Sequence, residues 1–379
     1  MSTAHAKLGA SGSHRWTACP GSVKAEEGIE EKRSAFADEG TAAHELADLV
    51  LTKGGDCQSW VGKSLIENNA VSVDQEMADY VQVYVDYVKS ISGSHEYEQR
   101  VDFSDWVPEG FGTADALVVQ GTTLYVIDLK YGKGVPVSAV ENTQGILYAL
   151  GALADYEVVH DIQRVVIVIA QPRMDSISEW SISKEELLRW GEWLSERAKE
   201  ALADDAPRVA GEKQCRFCRA KPTCAQLLRV THEVIATDFD NLAQMANPDT
   251  LTARQLKKAL DNKALIVSWF DAVEQHAFEL LESGKSFPGY KLVAGRSLRQ
   301  WADEASAEQA LVELLAERAY EKKLLSVAKA EKVLGKSRAG AVAQLIVKPQ
   351  GKPVIVPQDD KRPPLGAEAG DFDDFEKTT

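Results

Sequence analysis

The sequence is short of cysteine, of long apolar runs and of positive charge. Its 379 residues include five cysteines and four methionines. The apolar run at 165–170 falls far short of the roughly 18 residues that a membrane helix needs. The N-terminus carries no apolar signal core. These absences argue against a membrane-spanning chain and a disulfide framework. They favour a cytoplasmic protein with reduced thiols.

Acidic residues outnumber basic ones by 58 to 43, which gives a net charge of −15. The excess is regional, because residues 26–115 hold 20 acidic and six basic side chains. Basic residues cluster at 213–229 and 318–338. An acidic total normally argues against nucleic-acid binding. The two basic clusters could nevertheless follow a phosphate backbone, or they could be solvated helix faces.

Apolar periodicity predicts a mixed α/β core followed by helices. The predicted order is two helices, three strands, a helix, a strand and a helix. The helices are predicted at 41–51 with Thr41 as N-cap, after Asp74, at 140–154 and after Ser183, and the strands at 97–103, 113–119, 123–129 and 164–170. The expected domains are a core at 1–235, a mainly helical region at 236–348 and a disordered acidic tail at 349–379.

Two carboxylates and a lysine occur on adjacent predicted strands. Asp128 and Lys130 are two residues apart, so they project from the same face of one strand. Asp115 lies on the neighbouring strand and could meet Asp128 across the ladder. Converging carboxylates beside an ammonium suit a Mg²⁺ or Mn²⁺ site that orients water against a phosphodiester. An isolated D-x-K pattern also occurs on many exposed strands. The prediction of a metal site therefore depends on whether other candidate site residues accompany it.

This arrangement resembles the PD-(D/E)xK nuclease superfamily, in particular its RecB-like branch. The resemblance implies a restriction-endonuclease-like core, with a central mixed sheet flanked by helices. It also implies that His44, Asp115 and Asp128 are metal ligands and that Asp115, Asp128 and Lys130 are catalytic. Gln144 and Tyr148 match the Q-x₃-Y motif that contacts substrate. Glu98 is an additional candidate carboxylate.

The cysteines form a second pattern. Cys215, Cys218 and Cys224 are spaced C-x₂-C-x₅-C, with Cys19 far upstream and Cys57 left over as a free thiol. Such a group indicates a metal or cluster site. The layout is similar to the iron–sulfur nucleases of the AddB type, which implies that Cys19 and the three clustered cysteines hold a [4Fe–4S] cluster. The alternative is structural Zn²⁺, bound by four cysteines or with His232 replacing Cys19.

Most of the chain is similar to a phage- and prophage-encoded family of RecB-like nucleases long catalogued as a domain of unknown function. The similar segments include HAKLGASGSHRWTACPGS, GTAAHELA and GYKLVAGRSLRQW. The resemblance implies a metal-dependent deoxyribonuclease in the bacterial host cytoplasm, an exonuclease acting in phage recombination or replication. DNA and a single-strand annealing or single-strand-binding protein would be its partners. A non-catalytic DNA-binding scaffold on a nuclease fold is the alternative.

Overall fold

The structure is a computed structural model that describes residues 6–30, 35–65, 71–236, 253–293, 303–315, 319–320, 330 and 345–346. The chain divides into two compact units, Met1–Val293 and Ala294–Thr379. The predicted tail at 349–379 and most of the basic cluster at 318–338 lie outside the described residues.

Five strands form one mixed sheet in the order β1-β2-β3-β4-β5. They are β1 Ser94–Asp102, β2 Phe111–Gln120, β3 Thr123–Leu129, β4 Arg164–Gln171 and β5 Ser176–Ser183. Neighbours are antiparallel except β3 and β4, which are parallel. A parallel pair needs a crossover connection, and the helix between β3 and β4 provides it.

Helices flank the sheet on both faces. The helices of the first unit are α1 Ser13–Trp16, α2 Ser22–Ala25, α3 Ala35–Lys53, α4 Gln75–Ser90, α5 Thr143–Tyr156, α6 Lys184–Leu202, α7 Glu212–Cys215, α8 Ala225–Ala236 and α9 Ala253–Glu282. The second unit contains α10 Glu304–Leu315. One apolar core lies between the sheet and α5 with α6, and a second lies between the sheet and α3 with α4. The predicted α/β class with a flanked mixed sheet is therefore confirmed.

Local capping explains where three of these helices begin. The carboxylate of Asp74 accepts a hydrogen bond from the Met77 amide at 2.7 Å. The side chain of Asn142 does the same for the amide of Gly145 at 3.0 Å, and Ser183 caps α6. Each cap satisfies an amide that the first helical turn leaves unpaired.

Two local predictions were wrong. Thr41 does not cap α3, because that helix begins at Ala35 and the Thr41 hydroxyl donates to the carbonyl of Ala37 inside it. Strand β5 was missed because its sequence, SISEWSIS, has no continuous apolar run. It lies at the edge of the sheet and alternates between partly buried and exposed side chains, as a strand with one solvated face does.

Helix α9 lies in the first compact unit, which extends to Val293. The ammonium of Lys221 donates to the hydroxyl of Ser268 on α9 at 2.8 Å, which ties the helix to the cysteine segment. The predicted domain boundary at residue 235 stays a prediction. Within the described part of the chain, no helix combines the length and the apolar character required to cross a bilayer.

Candidate functional site

Helix α3 and strands β1 and β2 bring three potential metal ligands together. Nδ1 of His44 lies 3.2 Å from Oδ1 of Asp115. Glu98 joins them, since the ligand atoms of all three residues lie within 4.8 Å of one another. An imidazole and two carboxylates can hold divalent cations of the Mg²⁺ and Mn²⁺ class. His44 on α3 and Asp115 on β2, both predicted as metal ligands, are therefore adjacent, and Glu98 lies beside them.

Glu98 has a strained backbone at this position. Its φ angle is 47°, in the left-handed region. The register of β1 and β2 pairs Tyr97 with Ala116 and Gln99 with Ala114, so Glu98 interrupts the ladder. A non-glycine residue held this way costs about 1–3 kcal/mol, and such residues concentrate at functional sites. Nothing in the local sequence signals this distortion.

Asp115 connects the candidate ligands to the next strand. Its Oδ2 accepts a hydrogen bond from the backbone amide of Leu129 at 2.7 Å. The carboxylate is thus fixed at the end of β3, and its other oxygen faces His44. This side chain therefore adds a contact with the backbone of β3 to the antiparallel ladder that already joins the two strands.

Asp128, Lys130 and Gln144 form a closed set of polar contacts. The Lys130 ammonium donates to Oδ1 of Asp128 at 3.2 Å and to Oε1 of Gln144 at 2.9 Å. Nε2 of Gln144 donates to the same Asp128 oxygen at 2.9 Å and lies 3.4 Å from the Tyr148 hydroxyl. The four predicted residues therefore lie together, and Gln144 touches both charged members.

One oxygen of Asp128 remains without a hydrogen bond. Oδ2 is buried and has no hydrogen-bond partner. It lies 2.9 Å from the Lys130 ammonium, but outside hydrogen-bonding geometry. A buried carboxylate oxygen without a donor is costly, and a cation would satisfy it. This orphaned oxygen fits the prediction that Asp128 is a metal ligand.

The charges of the site shift one another's pKa values. Burial opposes protonation of His44, but the Asp115 carboxylate outweighs it and raises the pKa to about 8. Loss of solvent, followed by repulsion from Asp115, raises the pKa of Glu98 to about 7, although the residue keeps some contact with solvent. Burial also raises the pKa of Asp128. Repulsion from the Asp115 carboxylate adds to the effect of burial on the pKa values of Glu98 and Asp128, and a divalent cation would neutralise this negative charge.

The N-terminal segment borders this site, which the sequence did not predict. The hydroxyls of Ser13 and Thr143 are 2.7 Å apart, and Thr143 directly precedes Gln144 on α5. A guanidinium N–H of Arg15 donates to the carbonyl of Phe217 at 3.2 Å. The SGSHRW sequence therefore packs between the site and the cysteine segment. Its only sequence signal was its position just ahead of Cys19.

Arg173 links helices α3 and α4, which cover the same face of the sheet. The sequence did not predict this role. The guanidinium of Arg173 contacts Glu39 of α3 and Glu76 of α4, each at 3.1 Å. It also lies over the ring of Tyr131, 4.7 Å from the centroid. Since Tyr131 follows Lys130, this contact links the orientation of α3, and hence of His44, to the end of β3.

The four predicted cysteines converge on one small cavity. Cys19, Cys215, Cys218 and Cys224 all line it, although about 200 residues separate the first from the others. The buried Glu26 holds the two segments together by accepting from the Arg219 amide at 2.7 Å and pairing with Arg15 at 3.0 Å. The convergence of Cys19 with the other three cysteines, which the resemblance implied, is therefore present.

Backbone amides point at two of these sulfurs. The Val209 amide donates to Sγ of Cys19 at 3.2 Å, and the Gly211 amide donates to Sγ of Cys215 at 3.4 Å. Burial raises the pKa of the Cys218 thiol to about 11. Amides directed at sulfur stabilise thiolates and are a feature of cluster-binding loops. The cavity thus suits thiolate ligands to a cationic group.

The spacing of the sulfurs bears on zinc. A tetrahedral Zn²⁺ with bonds of about 2.3 Å holds its sulfurs about 3.8 Å apart. Among the described residues, three ligand atoms within 4.8 Å of one another occur at His44, Glu98 and Asp115 but not among the cysteines. Three of the cysteine sulfurs therefore do not approach one another as closely as the ligand atoms of His44, Glu98 and Asp115 do. His232 is exposed on α8 and does not line the cavity.

Cys57 lies apart from the other cysteines. It is buried in the core between the sheet, α3 and α4. Its backbone amide donates to Oε1 of Gln82 at 2.8 Å. Burial raises the pKa of its thiol to about 12. The predicted free thiol is therefore a core side chain.

The profile of a protein family covers this architecture nearly completely. The family described as "Protein of unknown function (DUF2800)" matches residues 5–363. The chain belongs to this family. The match spans the N-terminal segment, the sheet, the cysteine segment and the C-terminal region. Both residue clusters described above therefore lie within the family domain.

A solved structure also aligns with part of this family member. The structure entitled "Crystal structure of SSO0001" is 15% identical and is aligned over 56% of this chain and 85% of that chain, with a TM-score of 0.25. A likeness of this size carries no argument about function. Any assignment of function must therefore rest on the chemistry of the site.

Proposed function

We propose that the chain is a divalent-metal-dependent DNA nuclease built on a PD-(D/E)xK core. The observation that carries the proposal is the set of contacts joining Asp128, Lys130 and Gln144, next to the carboxylate of Asp115. Carboxylates that can hold a divalent metal, with an ammonium and an amide beside them, are groups that promote hydrolysis of a phosphodiester. No residue of a complete Asp–Asp–Lys set is missing, which favours an enzyme over a non-catalytic scaffold.

The metal-binding residues would be His44, Asp115 and Asp128, with Glu98 as a further ligand. Their fit rests on the clustering of His44, Asp115 and Glu98. It also rests on Oδ2 of Asp128, which is buried and has no hydrogen-bond partner. When bound, Mg²⁺ or Mn²⁺ would polarise the phosphate and lower the pKa of a ligated water. The strained backbone of Glu98 keeps its carboxylate beside Asp115 for this purpose.

Lys130 and Gln144 would act on the reacting groups. The contact with Asp128 raises the pKa of Lys130 against the opposing effect of burial, so the side chain stays protonated. A protonated ammonium can offset the charge that develops on phosphate oxygens and orient the attacking water. Gln144 holds this ammonium in position, and Tyr148 extends the polar surface towards substrate.

The four clustered cysteines would hold a [4Fe–4S] cluster. Its support is their shared cavity and the amides directed at two sulfurs. When bound, the cluster would crosslink the N-terminal segment to residues 215–224. Because Ser13 of that segment contacts α5 beside Gln144, we infer a structural role in shaping the site.

A role as an exonuclease in phage recombination or replication rests on the resemblance of the motifs. A single-strand annealing or single-strand-binding protein would then be a natural partner, in the host cytoplasm. The basic cluster at 213–229 lies beside the cysteines and could contact the phosphate backbone.

A digestion assay tests the proposal. Anaerobically purified protein is incubated with linear and circular DNA, single- and double-stranded, in Mg²⁺, Mn²⁺ or EDTA. We expect cleavage that needs metal, is abolished in Lys130→Ala and persists in the matched control Lys184→Ala. Lys184 pairs with Glu157 at the opposite end of the sheet from Asp128. Metal-independent cleavage, or full activity of Lys130→Ala, would refute the mechanism.

A further inference from the structure

A groove separates the N-terminal segment from the first two strands and opens beside the site. It encloses about 1130 Å³ between residues 6–29 on one side and β1 and β2 on the other. Its lining includes Lys7, Arg15, Arg100, Phe111, Tyr148 and Arg219. We propose that this N-terminal groove binds a single strand of DNA and leads it to the metal site. The proposal rests on the nuclease function proposed above and adds the path and form of its substrate.

The groove is continuous with the site through Tyr148. Tyr148 lines the groove, and its hydroxyl lies 3.4 Å from Gln144, which contacts Asp128 and Lys130. Gly112 also lines the groove, beside Tyr148. A Cβ at that position would lie 2.6 Å from Cε1 of Tyr148. The absence of a side chain at Gly112 therefore lets the ring lie close against the strand where the groove reaches the site.

The groove is positive in a protein with an overall net charge of −15. Four cations line it, against the two carboxylates of Glu26 and Glu27, which leaves an excess of two positive charges. Glu26 pairs with Arg15 and Arg219, and Glu27 pairs with Lys7. A cationic surface of this kind follows a phosphate backbone whatever the base sequence.

Arg100 is the most informative of these cations. Its guanidinium lies 4.1 Å from the centroid of the Phe111 ring, which fixes the charge on the wall of the groove. Within the described residues it forms no ion pair with a carboxylate. Strand β1 carries it two residues after Glu98, so the metal site and the wall share one strand. A cation stacked on an aromatic ring presents both charge and a flat surface to a nucleotide.

The dimensions favour a single strand. The volume exceeds the roughly 300–1,000 Å³ of small-molecule sites. The lining residues lie on both sides of the space, on the N-terminal segment and on β1 and β2, so a strand in the groove would be contacted from two sides. The N-terminal segment is fastened on its other side by the contact of Ser13 with Thr143 and by the hydrogen bond that the Arg219 amide donates to Glu26.

Binding measured without turnover tests the groove. A fluorescein-labelled 20-nucleotide strand is titrated with the full-length protein in EDTA at several salt concentrations. We expect Arg100→Glu to weaken binding at least about tenfold and to lower the salt slope by about 0.7 for each phosphate that is no longer neutralised. Arg100→Lys, which keeps the charge, should recover part of the affinity. Arg164→Glu is the matched control, because Arg164 pairs with Thr123 at the end of β3 that lies away from Asp128. This variant should bind the strand with wild-type affinity.

Hydrolysis of bis(p-nitrophenyl) phosphate in Mn²⁺ separates this proposal from the proposed function. The small diester needs the metal site but no groove, so Arg100→Glu should lose much more activity on DNA than on the diester, whereas the control Arg164→Glu should keep both activities. Failure of the wild type to hydrolyse this diester and DNA would refute the nuclease. Unchanged strand binding by folded Arg100→Glu, or equal affinity of the wild type for strand and duplex, would refute the groove alone.

Discussion

Oδ2 of Asp115 accepts a hydrogen bond from the backbone amide of Leu129 at 2.7 Å, so one carboxylate oxygen holds two strands together while the other faces His44. These two tasks can be separated by substitution. We expect Asp115→Asn to keep the hydrogen bond and the fold but to lose metal-dependent cleavage. Asp115→Ala should lose cleavage and also about 1–3 kcal/mol of stability, because a partly buried amide is left unpaired.

Urea unfolding and the digestion assay, run on both variants, check this prediction. Equal stability of the two variants would show that the hydrogen bond to β3 does not matter. Cleavage by Asp115→Asn at the wild-type rate would show that the charge does not matter.

Gln144 touches both charged residues of the D-x-K strand, so its removal should disorder the reacting groups without disturbing the core. We expect Gln144→Ala to lower kcat by up to about 10²-fold, the size of a small misplacement of catalytic groups. The melting temperature should change little, because the side chain is only partly buried. Steady-state kinetics on bis(p-nitrophenyl) phosphate separate kcat from KM. A change confined to KM would indicate a substrate contact instead.

The cysteines predict a spectroscopic difference between variants. Cys19→Ser or Cys218→Ser should abolish the brown absorption and the bound iron of anaerobically purified protein, whereas Cys57→Ala should keep both. The crosslink closes a loop of about 200 residues, which by the chain-entropy relation for crosslinks is worth about 5 kcal/mol. Metal analysis giving zinc in a colourless wild-type protein would refute the cluster.

Cys57 should resist alkylation in the folded protein. Burial raises the pKa of its thiol to about 12, so at pH 8 it remains protonated and is not nucleophilic. Mass spectrometry after iodoacetamide treatment should find Cys57 unmodified in native protein and modified in guanidinium chloride. Rapid modification in the native state would contradict its place in the core.

Two glycines should respond in opposite directions to alanine. Helix α5 packs so closely on β4 that a Cβ at Gly145 would collide with Cγ2 of Ile167. Gly145→Ala should therefore cost about 1–3 kcal/mol and shift Gln144. Gly40, inside α3, has open space around its Cα, so Gly40→Ala should stabilise by about 0.4–1 kcal/mol. Chemical denaturation measures both changes.

The sequence predicted those parts of the fold that local patterns determine. The apolar runs of β3 and β4 and the caps at Asp74 and Ser183 are local signals, and the predicted elements are present. Strand β5 was missed because a polar edge strand is stabilised by its neighbour and not by its own composition.

The sequence indicated which residues lie near one another but not the contacts between them. Spacing on one strand indicated Asp128 and Lys130, whereas the bridge through Gln144 depends on how the crossover helix lies on the sheet. The distorted backbone of Glu98 and the groove beside Arg100 arise from packing between distant segments. Such long-range relationships have no short sequence pattern.

The bond between Glu26 and the Arg219 amide spans 193 positions of the chain. During synthesis the N-terminal segment therefore leaves the ribosome long before its docking surface exists. At about 5–20 residues per second the delay is roughly 10–40 s. The carboxylates of the sheet can assemble in that interval, but the wall of the N-terminal groove cannot. The nascent chain thus passes through a state in which the carboxylates of the candidate metal site are assembled but the side facing the N-terminal groove is still open.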